Sequence, residues 1–177
     1  GLGLTDQNGK AIFYDEQLRD IAVKLLAQKA RWQVKKLLSF ESPVIIFFDE
    51  PALAGFGSSA MISVSRDEVA TCFKEVVGAV HDEGGLAGIH VCANADWSLI
   101  LESDADIISF DAYSFFDKLM LYPVHVKQFI ESGGILAWGI VPTLNSDDIE
   151  EATVESLVTR WETQSTALEA LGFDKTA

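Results

Sequence analysis

Four short β-type segments, separated by helical stretches and ending in residues able to do chemistry, constrain this chain more than any other feature of its sequence. The first, Val44-Ile45-Ile46-Phe47-Phe48, is a continuous run of β-branched and aromatic side chains of the kind found in strands buried on both faces. It stops abruptly at Asp49-Glu50-Pro51. Further strands are expected at Leu86 to Cys92, Asp106 to Phe110 and Ile135 to Val141. Ahead of the first, Leu18, Ile21, Ala22, Leu25, Leu26 and Trp32 recur mostly at three- and four-residue spacing between charges, which predicts an amphipathic helix from Asp15 to Leu38. Ser65 with Glu68 three residues later is a capping-box pattern, and the helix it opens should run to Gly84-Gly85. Shorter helices are expected at Trp97 to Glu102 and Pro123 to Ser132. The last should cover Asp147 to Leu171, with Ile149, Val154, Leu157, Val158, Trp161 and Leu168 facing inward.

Strands alternating with helices imply right-handed crossovers and a parallel α/β sheet. The first strand-to-helix turn has no G-x-G-x-x-G, which weakens a dinucleotide-binding reading. A closed (βα)8 TIM-type barrel takes about 250 residues, so 177 residues with four strands predict a partial barrel of about four parallel βα units. Residues 1–177 are read as a single partial βα-barrel domain. Its open strand edges must pair with further sequence or another chain, by self-association for example. The N-terminal Gly1 in place of Met fits the C-terminal half of a longer polypeptide, although removal of an initiator Met would look the same.

The charge balance narrows the partners. With 27 acidic and 13 basic residues the net charge is −14, which disfavours partners that bind through their phosphates, nucleic acid above all. The apolar runs fall far short of the roughly 20 residues needed to cross a bilayer, so no membrane partner is expected. Cys72 and Cys92 lie in segments of different expected structure and suggest no disulfide framework. The N-terminus has no basic leader or long apolar core, and a reducing cytoplasm is the expected compartment.

In parallel α/β folds functional groups collect at the carboxyl ends of the strands. His90 and Cys92 are two apart at such an end, so the strand period of two puts an imidazole and a thiol on one face, a donor pair suited to zinc. A plain buried pair is the competing explanation. Asp111 adds a carboxylate at the same end of the next strand, and three ligands would leave a position open for substrate. Asp49 and Glu50 read either as a loop-stabilising pair or as groups that bind a cation or move a proton. Gly57-Ser58-Ser59 is read as a plain loop, His81 and His125 as surface residues, and Cys72 as core. The four tryptophans are read as packing, with Trp138 a candidate for the barrel interior.

Three segments, Phe48-Asp49-Glu50-Pro51-Ala52-Leu53, Ile89-His90-Val91-Cys92 and Asp104-Ala105-Asp106-Ile107-Ile108-Ser109-Phe110-Asp111, carry a resemblance to a known family. In order and approximate spacing they resemble the C-terminal catalytic barrel of cobalamin-independent methionine synthase, in the uroporphyrinogen decarboxylase and methionine synthase superfamily. The likeness covers most of the chain from about Val44 onward. The strand end around His90 is also similar to that of methyltransferases that take methyl groups from corrinoid proteins. The resemblance implies a Zn2+ cofactor held by His90 and Cys92, with Asp111 where the family has a ligating Glu. It also implies that Asp49 holds the substrate's amino group, with Glu50 beside it. A further cysteine ligand belongs to the family pattern, and no cysteine follows Cys92 in these 177 residues.

The expected function is therefore zinc-dependent transfer of a methyl group from a donor, small or corrinoid-bound, to a small-molecule thiol. One alternative is a metal-free decarboxylase like uroporphyrinogen decarboxylase, whose carboxylate-rich substrate calls for arginines in the pocket. Arg19, Arg31, Arg66 and Arg160 all fall in expected helices rather than at strand ends, which counts against it. The other is a non-catalytic module binding a small molecule or a corrinoid protein.

Overall fold

The computed structural model of the chain describes residues 4–55 and 64–173, so Gly57-Ser58-Ser59 lies outside the described residues. Four strands, β1 (Ile45–Asp49), β2 (Leu86–Val91), β3 (Ile107–Phe110) and β4 (Ile135–Trp138), form one sheet. All three pairings are parallel and the order is β1-β2-β3-β4. The chain thus winds across the sheet in one direction without reversing, an order compatible with a partial βα repeat.

Register decides which side chains share a face. Phe48, Ile89, Ile108 and Leu136 stand in one row, and Ile89 and Ile108 are fully buried. The neighbouring row is Phe47, Gly88, Ile107 and Ile135, on the opposite face. There Ile45 (46%), Phe47 (44%) and Ile135 (53%) stay exposed. The expectation that the first strand is buried on both faces is therefore corrected. One face is covered by helices; the other is open at β1 and β4, while Gly88 and Ile107 between them are buried.

Helix α1 (Glu16–Leu37) starts where the Asp15 carboxylate accepts the Leu18 amide. Its apolar residues do not divide as the spacing suggests. Ala27, Ala30 and Val34 are buried, while Leu18, Ile21, Leu25, Leu26 and Trp32 are exposed, Trp32 by 64%. The small side chains let α1 approach α2 (Arg66–His81), and the bulky ones are left outside. The expected capping box is present at α2, with Ser65 and Glu68 bonded reciprocally. Those bonds hold the Glu68 carboxyl below its usual range, assisted by Arg19 at 3.0 Å. Its lowered pKa means that this contribution is complete above the ordinary carboxyl pKa and disappears as pH falls through the folded value.

α3 (Trp97–Leu101) and α5 (Pro123–Glu131) fall where the sequence places them. α4 (Ala112–Leu119) was not foreseen. Its eight residues include Tyr113, Phe115 and Phe116, poor helix formers by propensity, and it is held by the Asp111 cap and by burial of Phe116 and Leu119. The expected last helix is two. α6 (Ser146–Glu151) ends at Ala152, which is extended, and Thr153 caps a new helix, α7 (Val154–Glu169), in a reciprocal arrangement with Ser156.

The inner face of α7 also differs from expectation. Leu157 and Leu168 are half-buried as expected, Leu168 against the core, but Val154, Val158 and Trp161, and Ile149 on α6, are exposed, whereas the polar Gln164 is buried. Gln164 accepts the Trp138 indole N–H and donates to the Ala112 carbonyl at 2.9 Å, joining α7 to β4 and α4. Trp138 shares a row with Val91 and Phe110, and its ring packs on Phe110, Phe116 and Trp161. It lies on the helix face, not in a barrel interior. Gln164→Leu keeps the bulk and leaves the indole N–H without its acceptor. We expect a loss of about 1–3 kcal/mol in denaturant unfolding, and an unchanged midpoint would show that the bridge does not stabilise the fold.

Candidate functional site at the carboxyl end of the sheet

The register places Asp49, His90, Ser109 and Ala137 side by side as the last row of the open face. His90 Nδ1 is 2.9 Å from Ser109 Oγ. Either tautomer permits that bond, which fixes the ring plane and leaves Nε2 as the nitrogen available to a ligand. Asp49 is exposed beside His90 on the neighbouring strand. Glu50 is half-buried, and its amide donates to the His90 carbonyl at 3.0 Å, so β1 and β2 remain paired up to the site.

Cys92 lies one residue beyond β2 and is exposed. Asp111 occupies the equivalent place beyond β3, where one carboxylate oxygen accepts the Ser114 amide at 3.0 Å and caps α4. His90 and Cys92 offer a zinc-type donor pair, and the Ser109 bond to His90 is the kind of outer contact that orients a ligating imidazole. Asp111, as placed, is engaged as a cap. Among the described residues no group of three His, Cys, Asp or Glu side chains is close enough to hold a metal ion. His90 and Cys92 therefore fit zinc in kind, without an assembled third ligand.

The two remaining histidines have structural partners. His81 Nε2 lies 2.7 Å from Asp106, which also accepts the Ala87 amide, and His125 lies 3.0 Å from Glu102. Burial pushes the Cys72 thiol up, which favours its protonated form. A cavity of about 520 Å³ lies against β1 between α1 and α2, lined by Phe13, Leu26, Ile46, Phe48 and Phe73. Asp49 and Glu50 reach it, but His90, Cys92 and Asp111 do not, so it belongs to the edge of the sheet.

Sequence reasoning missed two residues. Ser109 is the one polar side chain inside the apolar β3, two before Asp111, and its place in that strand was the available signal. Arg160 sits on α7, and its guanidinium stacks over the Tyr113 ring at 4.0 Å while Nη1 donates to the Tyr113 carbonyl at 3.5 Å. Tyr113 lies two residues after Asp111 and donates its own amide to the Gly139 carbonyl just beyond β4. A helix position thus delivers an arginine to the strand ends, which reverses the sequence argument for one of the four arginines.

No family model, curated protein or solved structure compared with the chain matches it. Among the described residues no helix is long and apolar enough to cross a membrane.

Two glycines border this region. A Cβ on Gly139 would come 2.7 Å from the Phe110 carbonyl oxygen, and one on Gly88 would come 2.4 Å from the Phe47 ring. The first obstacle is backbone and the second a half-exposed ring that can rotate away. Gly139→Ala is expected to cost about 1–3 kcal/mol and Gly88→Ala less, by urea unfolding. The reverse order would show that the Phe47 ring is the more rigid neighbour.

Proposed function

We propose that this chain is the zinc-bearing part of a βα-barrel that transfers a methyl group to a thiol. The observation that carries the proposal is the His90–Ser109 bond, which orients one donor, two residues before Cys92, and leaves its other nitrogen available. His90 and Cys92 would hold the metal, and Asp111, which caps α4 through one oxygen on the Ser114 amide, is the third candidate. Zinc supplies a lowered thiol pKa, so that a thiolate is present at neutral pH.

The chain's own residues position the acceptor. Asp49, exposed next to His90 in the same row, attracts a cationic amino group on the thiol substrate. Ser109 keeps the imidazole from turning. The methyl group passes to sulfur, and the bonding electron pair stays on the donor. One-directional strand order and the open apolar face support the finer architectural reading, in which further βα units complete a closed barrel above these residues.

Cys92→Ser tests the metal assignment. Zinc content should fall by roughly tenfold or more relative to the parent protein, with the thermal unfolding of the metal-free proteins unchanged. Equal zinc in both, or none in either under metal-replete conditions, would refute it. Asp49→Asn keeps the shape and removes the charge. It should retain zinc and weaken binding of an amino-bearing thiol by about tenfold or more. Lost zinc with normal thiol binding would make Asp49 a ligand instead.

A further inference from the structure

We propose that Arg160 is an anion-binding residue of the strand-end mouth, receiving a carboxylate or phosphate group of the ligand on a guanidinium already stacked against Tyr113. The inference rests on the strand ends being the ligand site, and it is independent of zinc.

The other three arginines are neutralised. Arg19 pairs with Glu68, Arg31 with Asp82 and Glu83, and Arg66 with Asp96 and Glu102. In a chain with twice as many acids as bases, Arg160 is the one arginine with no carboxylate partner among the described residues. It is nevertheless positioned. The ring contact at 4.0 Å fixes the guanidinium plane, and the Tyr113 carbonyl engages Nη1. A guanidinium has five N–H donors in a rigid fork that matches two oxygens of a carboxylate or phosphate. One donor is directed to the carbonyl, which leaves the fork available for a ligand.

Its location gives that capacity a use. The Tyr113 amide is tied to the Gly139 carbonyl, so the stacked pair bridges the ends of β3 and β4 at the height of Asp111. Arg160 is half-buried, where a charge interaction exceeds its value in open water. An acidic chain also needs a local cation if its ligand is an anion, because the net charge of −14 repels one.

The experiment is thermal unfolding of the 177-residue chain with inorganic phosphate or malonate, against sodium chloride at matched ionic strength. We expect a saturable rise in midpoint with at least one anion, absent in chloride, and the stronger of the two identifies phosphate or carboxylate as the group bound. Arg160→Gln should abolish the rise, and Arg160→Lys, which keeps charge without the fork, should weaken the apparent affinity several-fold. Protection of Arg160 from phenylglyoxal by the same anion, read by mass spectrometry, tests the contact without any substitution. An equal rise in Arg160→Gln, no rise beyond chloride, or no protection would overturn the proposal. Zinc content measured alongside separates the two readings: a protein that responds to anion through Arg160 and holds no zinc keeps this inference and loses the metal one.

Discussion

Parallel pairing of β2 between β1 and β3 is the constraint on which the rest depends. In a parallel sheet, residues in register keep the same face along every strand. Pairing of Asp49 with His90 and of His90 with Ser109 follows directly from pairing of Phe47 with Gly88 and of Gly88 with Ile107 two residues earlier. A slip of one residue at any strand would send its polar end to the helix side and its core residues to the open face. The buried row of Phe48, Ile89, Ile108 and Leu136 forbids that slip. The hydrophobic core thereby sets the geometry of the polar row.

The strands were legible in the sequence as short apolar β-rich runs, and the polar residues at their ends could be placed from them; β1 to β4 fall within a few residues of expectation. Helix faces were less legible. In α1 the spacing of Leu18, Ile21, Leu25 and Trp32 correctly announced a helix, yet the face that packs is made by Ala27, Ala30 and Val34. Hydrophobicity alone ranks leucine above alanine, whereas close approach of two helices selects small side chains. α7 repeats the lesson with Gln164, a polar residue that is buried because it satisfies Trp138 and Ala112 together. Partners far apart in sequence decide such positions, and no local window contains them.

The candidate site shows the same division. His90, Cys92, Asp111, Asp49 and Glu50 could be singled out because residue type and strand position were enough. Their grouping could not be foreseen, since it depends on what each side chain already does. Asp111 is engaged by the α4 cap, a helix that propensity did not reveal, and His90 is held by Ser109. Arg160 falls in an expected helix rather than at a strand end, and a helix position alone does not reveal what its side chain reaches. In a βα repeat a helix runs antiparallel to its strand, so its first turns stand beside the strand's carboxyl end, and α7 brings Arg160 there.

The open face links stability to chemistry. Ile45, Phe47, Leu86 and Ile135 occupy it with much of their surface in water, and covering them would contribute on the order of 1 kcal/mol each. They lie beneath the polar row, toward the amino ends of the strands. Whatever covers them under the proposed closure also narrows water's access to His90 and Asp49 from below. Excluding water strengthens charge interactions in the site, so the surface that stabilises the fold and the medium that tunes its chemistry are the same apolar rows. On this view the strand-end site gains its full strength only when the open face is closed.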